Sequence, residues 1–157
     1  MYLFFFKRES EVNTLATKED FSKYVSIPYK FNGETVDGAD CAGIAKMFYN
    51  DHGWTPTEYP KPKTKDWYIS NPYYMERFLL KHFDKERDIE KLEFGDLCVV
   101  RINGETHLFI YLGYDKVLTT YPRISQFNGG CSFIDRLKKY WLTIPGVEYV
   151  SGFKRRK

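Results

Sequence analysis

A thiol at position 41 and an imidazole at position 107 are the side chains of this sequence best suited to acyl transfer. Cys41 stands in "VDGADCAGIAKMFYNDHG", where a glycine-studded stretch gives way to a helical pattern. Unpaired N–H groups and the helix dipole favour negative charge at a first turn, so a lowered thiol pKa is expected there. The same N–H groups can donate to the oxyanion formed in acyl transfer. Gly43 is expected to leave room for substrate backbone beside the sulfur. Position 41 also lies on an apolar stripe, and a buried core thiol explains that stripe equally well.

Of the three histidines, His52 and His82 fall near helix ends, where a cation complements the dipole. His107 opens "HLFIYLG" on the face it shares with Phe109 and Tyr111, and is expected to look into the interface between sheet and helix. A Cys and a His distant in sequence and joined by the fold are the minimum for a thiol acyl-transfer site. A structural histidine also fits that strand. Cys98 sits in an alternating strand and Cys131 in "NGGCS", and both read as structural. A zinc site built from Cys41, Cys98, Cys131 and His107 has no short ligand spacing, so no metal is expected.

The elements that must position this pair follow one another without a linker. Thr17 caps an expected helix "TKEDFSKYVSI", with Phe21, Tyr24 and Val25 as its stripe and Pro28 as its stop. "PYKFNGETVDGAD" carries Asn-Gly and Asp-Gly turn pairs and reads as an irregular connection that could hold a short hairpin. From Asp40, a plausible N-cap, Cys41, Ile44, Ala45 and Phe48 mark one face of a helix that Gly53 closes. "WTPTEYPKPKTKDWYISN" is expected to be an extended loop whose rings cover a groove or the core. "NPYYMERFLLKHF" predicts a helix with Asn71 as N-cap, Pro72 at its first position, and Tyr74, Phe78 and Leu79 on one face. Period two then marks strands 97–102, 107–113 and 116–120, separated by "NGET" and "YD", and "VEYVSGFKR" could add another. Helices first and strands later predict α+β, with helices packed on an antiparallel sheet.

At 157 residues the chain reads as a single domain, 1–157. A hydrophobic share of 43% excludes the disorder signature, and a net charge of +3 gives no indication of nucleic acid. The basic run "FKRRK" reads as a solvated tail. "MYLFFFKR" lacks the layout of an export signal, and no stretch approaches a membrane span, so action outside a cell would need another exit route.

Three blocks, "IPYKFNG", "GADCAGIAKMFYNDHG" and "FGDLCVVRINGETHLFIYLG", resemble in order and spacing the NlpC/P60 family of papain-like peptidases that cut bacterial cell-wall peptides. The likeness runs from about Phe21 to Leu118, while "FIDRLKKYW" and "GFKRRK" resemble the tails of phage-encoded members associated with virion tails. The resemblance implies a papain-like α+β fold with Cys41 as nucleophile and His107 as general base, then acid. It makes Tyr29 a substrate-contacting tyrosine, and it has Asp40 hold the helix start and meet a substrate amine. It further implies a peptidoglycan stem peptide cut after γ-D-glutamate, no cofactor, phage tail proteins as partners, and action from a virion or in the bacterial wall.

One position departs from the family pattern. Members usually carry His, Asn or Gln about twelve places after the base to orient the imidazole, and here position 119 is threonine. A three-residue loop at "GYD" would set Thr119 opposite Phe109 and diagonal to His107, and Tyr121 directly opposite His107. Either is expected to orient His107. The departure also favours a tail component that keeps the fold without catalysis. A third possibility is an amidase or acyltransferase with another small substrate.

Overall fold

The apolar stripe after Asp40 forms helix α1, Cys41–His52, in the computed structural model, which describes residues 20–122 and 130–157. Its ends are set as expected: Asp40 Oδ1 accepts from the Gly43 N–H at 2.8 Å, and Gly53 takes the left-handed conformation at φ +68°. Ile44 and Phe48 are fully buried. Each such side chain stabilises by about 1.5–3 kcal/mol relative to exposure, more than any helix propensity supplies, so α1 is held by its packing.

Two short strands precede it, β1 (Glu34–Thr35) and β2 (Gly38–Ala39), a small hairpin at the expected Asp-Gly turn. The helix expected from Thr17 begins outside the described residues, and from Asp20 onward only a single 3-10 turn forms, Ser22–Tyr24. A short helix α2, Trp67–Ser70, interrupts the proline-rich loop. Helix α3 is Tyr74–His82 and starts three residues after the expected cap. Asn71 precedes a proline and leaves the helical backbone at φ −144° and ψ 75°, which ends α2 instead of opening α3.

Six strands form the main sheet: β3 (Phe83–Glu86), β4 (Leu97–Ile102), β5 (Glu105–Gly113), β6 (Lys116–Thr120), β7 (Ser132–Arg136) and β8 (Val147–Arg155). Their order is β3-β8-β4-β5-β6-β7, and every pairing is antiparallel. Asn103 and Gly104 both have positive φ, giving the tight turn that joins β4 to β5. Alternation divides the core into two. Leu97, Val99, Leu108 and Ile110 pack with α1 and α3, while Cys98, Val100, Phe109 and Val117 pack on the other side with Trp141 and Leu137.

The basic run at the end is no solvated tail. Phe153, Lys154 and Arg155 belong to β8, and Phe153 is buried between β3 and β4. Lys154 pairs with Glu93 and Asp96, and Arg156 with Asp84. Among the described residues no helix is long and apolar enough to cross a membrane.

Candidate active site

The segment before α1 is threaded tightly. Tyr29 forms a bridge with Ala39, so its ring stands beside Asp40 and Cys41. Asp40 uses both carboxylate oxygens, one on the Gly43 N–H and the other on the Asn32 N–H at 2.8 Å. Burial raises its pKa, against the pull of those donors. Gly43 serves this packing and does not widen the cleft: a Cβ there would overlap the Gly33 carbonyl.

Cys41 is partly exposed, yet its thiol is held neutral. Burial, and after it the Asp40 carboxylate, pushes its pKa up to about 12; the N–H groups of Leu108 and Ala42 only partly oppose this. The lowering expected from the helix start is therefore outweighed. An isolated dipole acts on a solvated thiol, whereas this sulfur is enclosed and has an anion next to it.

His107 shares its side of β5 with Phe109, which packs against Trp141 on the side away from α1. The imidazole stacks on Tyr121 at 4.4 Å between ring centres, with 25° between the planes. It still reaches the thiol's cleft, because the β5–β6 ladder stops at Ile110 and Leu118 and α1 begins beside the strand edge left open there. Tyr29, Asp40, Cys41, Lys65, Glu105 and His107 all line one cleft of about 450 Å³. Tyr59 and Trp67 of the proline-rich stretch line it too, as the expectation that its rings cover a groove requires.

Thr119 lies outside this group. It is buried, and its hydroxyl donates to the Leu108 carbonyl at 2.8 Å, so it holds the strand edge. Tyr121 meets His107 ring to ring. Sequence reasoning missed Glu105, whose Oε2 lies 3.8 Å from His107 Nε2. The available signal was its spacing, two residues before His107 on one strand face. The Nε2 atom itself is buried without a hydrogen-bond partner among the described residues. Cys98 is sealed into the core on the other side of the sheet, and Cys131 bridges to Pro28.

A cysteine at the head of a buried helix, set against an antiparallel sheet that carries a histidine at one strand's start, defines the papain-like α+β class. Residues 26–142 match the NlpC/P60 family profile, and the chain belongs to that family. No curated protein matches it in sequence. Solved structures similar in fold include NlpC2 from Trichomonas vaginalis, at 16% identity and a TM-score of 0.56 over 90% of this chain and 44% of that one. An NlpC/P60 family protein from Bacillus cereus ATCC 10987 is 22% identical, with a TM-score of 0.51 over 85% of this chain and 36% of that one. The P60 domain of an antigen from M. avium subspecies paratuberculosis is 16% identical, with a TM-score of 0.52 over 92% of this chain and 96% of that one. The chain thus spans less than half the length of the first two.

Proposed function

We propose that this protein is a cysteine peptidase or amidase that hydrolyses an amide bond in peptidoglycan stem peptides. The observation that carries the reading is the single cleft lined by Cys41 at the head of α1, His107, Tyr29 and Asp40. Family membership supplies the substrate class, and the bond after γ-D-glutamate is the finer proposal. With a thiol neutral at rest, His107 acts as general base when substrate arrives. The Gly43 N–H is committed to Asp40 and the Ala42 N–H faces the Cys41 sulfur, which leaves the N–H of Cys41 itself for the oxyanion. Digestion of purified muropeptides, followed by mass spectrometry, tests this against Cys41→Ala. Products from the natural chain alone are expected; products from both, or from neither, would overturn it.

A non-catalytic tail component is the second reading. The raised thiol pKa and the commitment of Thr119 to Leu108 favour it. The virion setting itself rests on the C-terminal text, most of which is occupied in building β7 and β8. Detection of the chain among the proteins of purified virions tests that setting.

A further inference from the structure

We infer that Glu105 is the positioning residue for His107, in the place that position 119 leaves unfilled. The inference deepens the hydrolase reading and rests on it. Glu105 and His107 project from the same side of β5, and the Glu105 carboxylate is the acid that faces Nε2, at 3.8 Å. Nε2 is buried without a hydrogen-bond partner among the described residues, a condition that native structures resolve with a protein group or a water. A side-chain rotation that moves the carboxylate by about 0.6–0.9 Å puts it within hydrogen-bond range. Glu105 is about one-third exposed, so it has the freedom to make that move.

The neighbouring hydroxyls are otherwise engaged. The Thr119 hydroxyl is spent on the Leu108 carbonyl. Tyr121 stacks on the imidazole face and sets its tilt. An acceptor at Nε2 keeps the proton on that nitrogen and leaves the Nδ1 lone pair for the cleft. In the reaction, Nδ1 takes the proton of the Cys41 thiol as sulfur bonds to the substrate carbonyl carbon. The carbon–nitrogen bond then breaks, and Nδ1–H passes to the leaving amine. Water hydrolyses the thioester and restores the thiol, while the Glu105 carboxylate beside Nε2 stabilises the imidazolium.

Among the described residues, the charged and titratable groups around the imidazole are Glu105 on its own strand, Cys41 and Asp40 at the start of α1, Tyr29, Tyr59 and Lys65 across the cleft, Tyr121 after β6 and Tyr68 on α2. Among the described residues Glu105 is the acid within ion-pair range of Nε2, so its removal should disfavour imidazolium and lower the His107 midpoint.

The test compares the natural chain with Glu105→Gln and with Glu90→Gln, the latter removing an exposed carboxylate paired with Lys138. Two readouts are taken: kcat and KM on muropeptides, and the NMR titration of the His107 imidazole in the full chain without substrate. Glu105→Gln is expected to lower kcat about 10- to 100-fold with KM within about twofold. It is also expected to move the His107 midpoint and the acidic limb of kcat/KM down by about one pH unit. Glu90→Gln should move neither. A His107 midpoint identical in the natural chain and Glu105→Gln overturns the assignment. A lowered midpoint in a chain that cuts no muropeptide upholds the Glu105–His107 coupling and removes only the hydrolase reading.

Discussion

The Thr119 hydroxyl donates to the Leu108 carbonyl on the strand edge whose N–H faces the Cys41 sulfur. In an antiparallel strand the N–H and C=O of one residue point the same way, so this edge serves both contacts. Where the β5–β6 ladder stops, a side chain replaces the missing backbone link. Thr119→Val keeps the shape and orphans the Leu108 carbonyl, which should destabilise the fold by about 1–3 kcal/mol. Urea unfolding should show a lower midpoint with an unchanged slope, and the His107 titration should stay where it is. A shifted His107 midpoint would return Thr119 to the site.

The resting thiol gives a second expectation. Burial, then the Asp40 carboxylate, holds Cys41 at about 12, so its thiolate fraction near neutrality is small. Alkylation by iodoacetamide, followed by mass spectrometry of the Cys41 peptide, should accelerate about tenfold per pH unit between roughly 7 and 9, without a plateau. Asp40→Asn keeps a cap acceptor and removes the negative charge, so the thiol pKa should fall and alkylation quicken at every pH. A plateau in the natural chain below about pH 8 would mean a thiolate at rest.

Legibility in the sequence followed locality. Helix α1 could be read because Asp40, the stripe and Gly53 all agree within one short stretch. Strands β4 to β6 could be read from alternation and tight turns. Strand β3, "FDKE", carries no alternating apolar signal and exists because β8 pairs with it from about seventy residues away. The pair Cys41 and His107 was visible as chemistry, and the register that set Tyr121 against His107 agrees with the stack between them. The fate of Thr119 was not visible, because it depends on where the β5–β6 ladder ends. Glu105 escaped notice for a similar reason. Two residues apart on a strand is a common spacing, and only the approach of α1 gives it meaning.

Gly43 provides a test of packing. Its missing side chain lets the first turn of α1 press against Gly33, whose carbonyl accepts from the Asp40 N–H at 3.2 Å. Gly43→Ala would favour the helix by propensity but force a methyl group into that carbonyl. Overpacking of this kind costs about 1–3 kcal/mol and should outweigh the propensity gain. Thermal unfolding should therefore show a lower midpoint for Gly43→Ala. A raised midpoint would mean that the Gly33 loop yields freely, and that the path from Asn32 to Asp40 is not a rigid support for Cys41.

Arg155 tests the finding that the basic end of the chain is structural. Its guanidinium lies 3.6 Å from the centre of the Trp54 ring, and Trp54 in turn meets Tyr49 of α1 edge-on at 5.4 Å. The Arg155 N–H donates to Asp96 at 2.9 Å, a bond that a side-chain substitution leaves in place. Arg155→Ala should therefore remove a cation–π contact of about 0.5–2 kcal/mol together with the packing of the side-chain stem. For a domain of this size the melting temperature should fall by about 2–6 °C. Arg155→Lys keeps the charge but loses the planar stack, so it should recover only part of the loss. A solvated basic tail predicts the reverse pattern: an unchanged melting temperature in both variants, with weaker binding to anionic vesicles at low salt.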